Sequence, residues 1–299
     1  VIPAERVRLL NLHGAAGRML AVLKAKPRAY YDRMVDRIVE FLLDEESTVL
    51  APRVRRILER LDEGEPTLAR ELELAINSLR AEMPRRAAKM LEDRIALTYI
   101  AGAVDVQPGN YAFNEVDERA LDWLESDSLY WVGKHYGEKF GKKVIQTMAP
   151  AFADGAPVEV LAPMLREAFA DEVTRGESYW KLFANSVVTR TRSFGITANL
   201  ERIGAKYGVI EALIDDTTTD ICRGLDGKLV LVENMVNLRG ALISAKSPEE
   251  VRELHPWVSN GPDAEAVVAS TEALGFVPSQ YSFPPYHANC RTTVVYFGE

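Results

Sequence analysis

Two short stretches hold most of the side chains in this chain that could do chemistry. Residues 215–228 read DDTTTDICRGLDGK and supply Asp215, Asp216, Asp220, Cys222 and Asp226. Residues 284–291 read PPYHANCR and supply His287, Cys290 and Arg291. Together they contain both cysteines and one of the four histidines. Three chemistries suit these residue types. In the first, Cys222, His287 and Cys290 bind zinc, since His-x-x-Cys brings two donors within reach of one ion. A closed zinc site wants a fourth ligand, which would fall to Asp216, Asp220 or Asp226, because Thr219 stands where a CxxC pair would have its first cysteine. In the second, paired aspartates hold Mg²⁺ or act as acid and base, or Cys222 and His287 form a thiolate–imidazole pair, as in a metal- or thiol-dependent hydrolase or nuclease.

The third reading is structural. Asp216 caps a short helix carrying Cys222, and Asp226-Gly227 makes a turn. Cys222 and Cys290 are small buried residues or a disulfide, and His287 is a satisfied hydrogen-bonding group. Arg291, entering a last strand, forks onto an aspartate of the first stretch and ties the two edges of a small domain together. Capping and turn roles account for every aspartate, so no catalytic residue and no enzyme are expected. No cofactor is required, with zinc left open.

The elements that must position these residues fall into two kinds. Residues 1–205 read as successive helices. In YYDRMVDRIVEFLL, Tyr31, Met34, Val35, Ile38, Phe41 and Leu42 share one face and Asp32, Arg33, Asp36, Arg37 and Glu40 the other. The pattern returns through Val54, Ile57, Leu58 and Leu61, and again through Leu68, Leu72, Ala75, Ile76 and Leu79. Pro52, Pro66 and Pro84 are expected where helices start or stop. The more apolar run MLEDRIALTYIAGAV is expected to be central, and residues 107–114 to break the series. Helix resumes from Val116 to about Met148, then from Val158 to Glu172. A long connecting helix follows at 176–205. Its stripe is Trp180, Phe183, Ala184, Val187, Thr191 and Phe194, with Arg190 and Arg192 off it.

After Gly208 the pattern turns to strands: VIEALID, the run after the Asp226-Gly227 turn, and residues 292–297. A helical insertion at about 245–275 separates the last two. It starts at Ser247-Pro248-Glu249-Glu250, a capping serine with proline at the first helical position, and its second helix stops at Gly275. The expected fold is therefore α+β: a mostly helical N-terminal two-thirds, then a small C-terminal α+β domain with a short antiparallel sheet. The domains are 1–175 for partner binding, 176–205 as connector, and 206–299.

The chain has 299 residues, 47% hydrophobic and 27% charged, with net charge −8. This composition supports a packed core and argues against autonomous wrapping of duplex DNA, which favours a basic excess. A local contact to nucleic acid or an acidic partner through Arg190, Arg192, Arg202 and Lys206 stays open. No run approaches a membrane span, and VIPAERVRLL has no signal-peptide pattern, so neither a membrane nor secretion is expected. Two cysteines suit a reducing compartment.

The motif D-D-T-T-T-D-x-C-R-x-L-D-G-K, followed by P-P-x-H-x-N-C-R-T-T, resembles the C-terminal domain of tailed-phage minor head proteins, the head morphogenesis or Mu F-like family. The matching positions are Asp216, Thr218, Asp220, Cys222, Arg223, Leu225, Asp226, Gly227 and Lys228, then Pro284, Pro285, His287, Asn289, Cys290 and Arg291. WKLFANSVVTRTRSFG is similar to the family's helical lead-in. The resemblance covers residues 176–299 and implies a minor head protein of a tailed bacteriophage or prophage-derived particle. Such a structural protein acts in head morphogenesis, capsid assembly, DNA packaging or DNA delivery near the portal. The implied partners are the portal protein, the major capsid protein and packaged DNA, with no small-molecule substrate. The implied location is the virion, and the host cytoplasm during assembly. Many members carry a cysteine at the position of Thr219, which implies a four-ligand metal site in them. Some continue into a toxin or enzyme domain; nine residues follow Cys290 here, and no such domain is expected.

Overall fold

The computed structural model describes residues 27–50, 52–53, 56, 68–106, 112–136 and 158–298. The fold is α+β, as expected, mostly helical with a three-stranded antiparallel sheet near the C-terminus. Among the described residues the long helices are α1 (Pro27–Glu45, running into a π turn at Glu46–Leu50), α2 (Leu68–Val106), α3 (Glu115–Lys134) and α4 (Val158–Arg202). The smaller elements follow as β1 (Tyr207–Glu211), α5 (Asp220–Leu225), β2 (Leu229–Leu231), α6 (Val232–Ser244), α7 (Pro248–Leu254), α8 (Pro262–Leu274) and β3 (Thr293–Tyr296).

The amphipathic reading of α1 holds. Tyr31, Met34, Ile38 and Leu42 are buried and the five charged positions opposite are exposed. The stripe through Val54, Ile57, Leu58 and Leu61, Pro66, and the stretch between Lys134 and Met148 beyond residue 136 lie outside the described residues. So do the side chains of Leu68, Leu72, Ala75, Ile76 and Leu79, although their backbone is helical.

Two expected breaks are absent. Pro84 lies inside α2 instead of at an end. Proline lacks the N–H that would bond Arg80's carbonyl. Gly133 of α3 packs over that spot, so a side chain there would meet the Pro84 ring at 3.2 Å and the Arg80 carbonyl at 3.4 Å. The gap expected between Glu172 and Gly176 is absent too, and α4 is a single 45-residue helix. One glycine costs a helix only about 1 kcal/mol, and a helix of this length absorbs it.

The boundary expected near Ala205 separates helical from mixed secondary structure, but it does not separate compact units. One unit takes Asp36–Leu91 and Glu125–Phe183; the other takes the described residues up to Val35, Glu92–Leu124 and everything from Ala184. The long helices pass through both, so the units follow spatial packing and not chain order. In the first unit Ile38, Leu42, Met83, Leu91, Tyr136 and Trp180 form the core around a buried Glu46. Glu46 Oε1 accepts from Trp180 Nε1–H at 2.8 Å and from the Tyr136 hydroxyl at 3.3 Å, and His135 Nε2 lies 3.6 Å from the same oxygen. Burial and the neighbouring carboxylate push the Tyr136 hydroxyl well above its ordinary range, so it stays a donor.

In the second unit the run expected to be central is buried: Ile95, Tyr99, Ile100, Ala103 and Val104. Asn114 and Asp117 cap α3 reciprocally. The Asn114 carbonyl oxygen Oδ1 accepts from Val116 N–H at 2.8 Å, and Asp117 Oδ2 accepts from Asn114 N–H at 2.9 Å. Tyr99 donates its hydroxyl proton to Asp117 Oδ1 at 2.7 Å. Helices α2 and α4 cross at two glycines. A side chain on Gly102 would run into the Arg192 carbonyl, and one on Gly195 into the backbone of Tyr99 and Ala103. The stripe on α4 departs from expectation in one place: Val188 is buried and Val187 is only half-buried.

The helical insertion begins earlier than the expected 245: an additional helix, α6, starts directly after β2 and buries Met235, Leu238 and Leu242. The capping of α7 is as expected. Ser247 Oγ accepts from Glu250 N–H at 3.2 Å, and Glu250 Oε2 from Lys246 N–H at 2.8 Å. Helix α8 ends at Gly275 in the left-handed conformation. His255, fully buried, donates from Nε2 to the Phe283 carbonyl at 3.0 Å. Burial and the Arg190 charge lower its pKa to about 3, so it is neutral in the folded protein.

The helix crossing yields a test. Gly195→Ala should destabilise the chain by at least about 2 kcal/mol, because backbone cannot yield as a side chain can. Gly240→Ala, in a helix with open space around it, should be neutral or stabilising by up to about 1 kcal/mol. Denaturant melts of the two variants would separate these outcomes; equal stabilities would refute the close-approach account.

Candidate functional site

Strand β1 is central, with the order β2-β1-β3. It pairs antiparallel with β2 through Tyr207↔Leu231 and Val209↔Leu229, and with β3 through Gly208↔Tyr296 and Glu211↔Thr293. Glu211↔Thr293 is the last pair. Beyond it the chain leaves β1 into the first motif and enters β3 from the second, so the register itself places residues 212–222 beside 287–292.

Asp215 is the hub of the first contact. Arg291 Nη2 donates to Asp215 Oδ1 at 2.7 Å and to Thr217 Oγ1 at 2.6 Å. Thr217 donates to the same carboxylate oxygen from N–H at 2.9 Å and from Oγ1 at 2.8 Å. Thr218 Oγ1 accepts from Asp215 N–H and donates to the Leu213 carbonyl, both at 2.7 Å. Hydrogen bonds from Arg291 and Thr217 hold the Asp215 carboxyl well below the usual carboxylate range. The expected arginine–aspartate tie therefore exists, with Asp215 as its partner.

Cys222, His287 and Cys290 also meet. Cys222 Sγ lies 3.1 Å from His287 Nε2 and 3.8 Å from Cys290 Sγ. The three ligand atoms lie within 4.8 Å of one another, the one such His/Cys/Asp/Glu group among the described residues. The Cys222 thiol is pushed up by its contact with Cys290 and by burial, despite the opposing pull of His287. Burial acts upward on Cys290 too, but hydrogen bonds from Cys222 and from the backbone N–H groups at Tyr286 and Thr292 outweigh it and lower the value to about 7. Burial alone would lower His287; the Cys222 sulfur overcomes this and raises it. His287 Nδ1 is 2.6 Å from the Ala288 carbonyl, to which it donates. That leaves the Nε2 lone pair directed at the sulfurs, the tautomer a soft metal needs. The sulfur–sulfur spacing also matches the roughly 3.8 Å that two ligands at about 2.3 Å subtend on a tetrahedral zinc. This trio could hold such an ion with three protein ligands.

The other expected site residues are distributed elsewhere. Asp216 is exposed, caps nothing and joins neither contact; α5 has Thr219 at its N-cap, without a side-chain bond. The chain turns one residue earlier than expected because Asp215, not Asp216, closes the loop onto Thr217 and Thr218. Asp220 Oδ2 accepts from Gly261 N–H at 3.0 Å, tying α5 to the insertion. Asp226 Oδ1 accepts from Ala212 N–H at 2.8 Å, and Gly227, at φ 73°, turns the chain into β2. The four cations considered for nucleic acid or an acidic partner have different surroundings. Arg192 bonds Asp105 at 2.8 Å and lies over the Tyr31 ring at 4.0 Å, so it is an internal group. Arg202 is 3.4 Å from Asp117. Arg190 is half-buried beside His255, and Lys206 is exposed.

Sequence reasoning missed what holds the second motif. Asn185 Nδ2 donates to Asn289 Oδ1 at 3.2 Å, Thr189 Oγ1 to the Cys290 carbonyl at 2.9 Å, and Ser193 Oγ to the Pro284 carbonyl at 2.9 Å. These residues lie four apart on α4, a polar row beside the apolar stripe. Their spacing was the available signal. A cavity of about 350 Å³ opens at this junction, lined by Asn185, Thr217, Thr219, Cys222, His287 and Arg291.

No protein-family model, curated protein or solved structure gives a significant match to this chain.

The Asp215 tie has a pH signature. A carboxyl depressed in the folded state adds stability that is complete above its ordinary value of 3.8 and disappears as pH falls toward the lower folded value. Melting temperatures recorded from pH 5 down to pH 2.5 should fall more steeply for the wild type than for Arg291→Gln. Parallel curves would show that the ion pair has no part in the acid response.

Proposed function

We propose that this chain is a minor head protein of a tailed bacteriophage or a prophage-derived particle, acting in head morphogenesis, DNA packaging or DNA delivery near the portal. One observation supports this reading above the others. The two motifs whose pattern resembles that protein class fold onto each other and close one small module, through Asp215–Arg291 and through Cys222, His287 and Cys290. Asp215, Asp220, Asp226 and Arg291 are engaged in holding the module together, which suits a part that must survive assembly forces more than one that must turn over substrate. The carboxylates bond separate partners, and the Cys222 thiol is held protonated, which disfavours it as a nucleophile. In this reading the long helices carry the contacts to portal or capsid protein.

The reading is tested on gradient-purified, DNA-filled particles from producing cells. Quantitative mass spectrometry should find peptides of this chain at a few to a dozen or so copies per particle. Absence from filled heads and from empty precursors alike would refute it.

Within that role, Cys222, His287 and Cys290 would hold a zinc ion through three protein ligands, cross-linking α5 to the loop before β3 and leaving the fourth position to solvent. Cobalt titration of the reduced chain should give sulfur-to-metal charge-transfer absorption saturating at one equivalent and lost in Cys290→Ser. Identical absorption in wild type and variant would place the metal elsewhere.

A further inference from the structure

Cys222 and Cys290 are the chain's two cysteines, and 68 residues separate them in sequence. Their sulfurs are 3.8 Å apart, both free and both buried. The two sulfurs already face each other across 3.8 Å, so forming a bond of about 2.05 Å brings together side chains that do not point apart. The two sulfurs sit on different supports. Cys222 is held on α5. Cys290 follows Asn289, which has a left-handed φ of 57°, in the loop before β3. Each also borders open space: Cys222 the cavity of about 350 Å³, and Cys290 a neighbouring one of about 310 Å³ lined by Tyr31, Thr189, Arg192 and Arg291. A small oxidant can therefore approach the pair from either side without unfolding the module, while a second protein's thiol cannot.

We propose that Cys222 and Cys290 form an oxidisable dithiol, a modification site at which peroxide closes an intramolecular disulfide between the first and last elements of the C-terminal module. The chemistry balances with peroxide alone. One sulfur attacks a peroxide oxygen, the O–O bond breaks, and a sulfenic acid and one water form. The second sulfur then attacks the sulfenic sulfur. The S–S bond forms, the S–O bond breaks, and the leaving hydroxide takes the second thiol's proton as water. Peroxide is reduced by two electrons and the dithiol is oxidised by two. Because the partner sulfur is already in contact, disulfide formation outruns further oxidation of the sulfenic acid. The bridge would cross-link α5 to the approach to β3 and remove both sulfurs as metal ligands. The pair would thus be a dithiol in a reducing compartment and a bridge outside it. This inference rests on the geometry of the pair and is independent of the proposed role in a phage head.

The test uses the full chain, reduced and stripped of metal with a chelator, then exposed to hydrogen peroxide at one equivalent. Expected are loss of both thiols to Ellman's reagent, a mass lower by about 2 Da, and a linked Cys222–Cys290 peptide pair. The chain should remain a monomer on a non-reducing gel, gain melting temperature, and revert with dithiothreitol. In Cys222→Ser, dimedone should instead trap a sulfenic acid on Cys290. Three results on the wild-type chain would each overturn the proposal: stable addition of oxygen without a linked pair, cross-linked dimers, or thiols that react only after denaturation. None of these depends on whether a variant folds.

Discussion

The pairing of β1 with β3 is the constraint on which the C-terminal module depends. These strands are neighbours in space but lie at opposite ends of the module's sequence, with five elements between them. Closing so long a loop costs conformational entropy, which local hydrogen bonds in a three-stranded sheet offset poorly. The structure places an ion pair and a sulfur contact where that closure is made. Arg291 meets Asp215 just beyond the last β1–β3 pair, and the two sulfurs meet one helix further on. The insertion is fastened as well. Val258 N–H donates to the Tyr286 carbonyl and Val277 N–H to the Leu229 carbonyl, both at 2.8 Å. Sheet register, ion pair and thiol contact thus point to one closed arrangement.

What the sequence revealed depended on the range over which each signal acts. Local signals were legible. The alternating faces of α1, the Ser247 cap, the Gly275 stop and the Asp226-Gly227 turn are decided by residues within a few positions, and each is found where its pattern lies. Signals that depend on neighbours in space were not. Pro84 reads as a helix end, but it lies inside α2, with Gly133 of α3 packed beside it. Residues 232–244 contain Gly240 and follow a β-rich run, so α6 was hidden inside an apparent strand region. The compact units cut across the long helices, an arrangement no linear boundary can express.

The candidate site divides in the same way. Cys222, His287, Cys290 and Arg291 were identifiable by type, because few residues share their chemistry. The choice between Asp215 and Asp216 was not, since adjacent aspartates look alike until a register decides which one faces the arginine. Arg190 and Arg192 looked solvated because their partners, Tyr31 and Asp105 for Arg192, lie far away in sequence. Asn185, Thr189 and Ser193 were passed over because uncharged polar residues on a helix carry little chemical signature of their own.

That last row on α4 has a consequence for how the module can change over generations. Thr189 and Ser193 do not bond side chains of the second motif; they bond the carbonyl oxygens of Cys290 and Pro284. Every amino acid presents a carbonyl, so at these two points the helix holds the path of the loop and not its lettering; only Asn185 reads a side chain, that of Asn289. Substitutions at loop positions such as Ala288 could accumulate without loosening this attachment, whereas one change on the helix would strand a buried acceptor. Drift should therefore be tolerated at loop positions such as Ala288, whose side chain makes none of these contacts, and resisted at Thr189 and Ser193 on the helix.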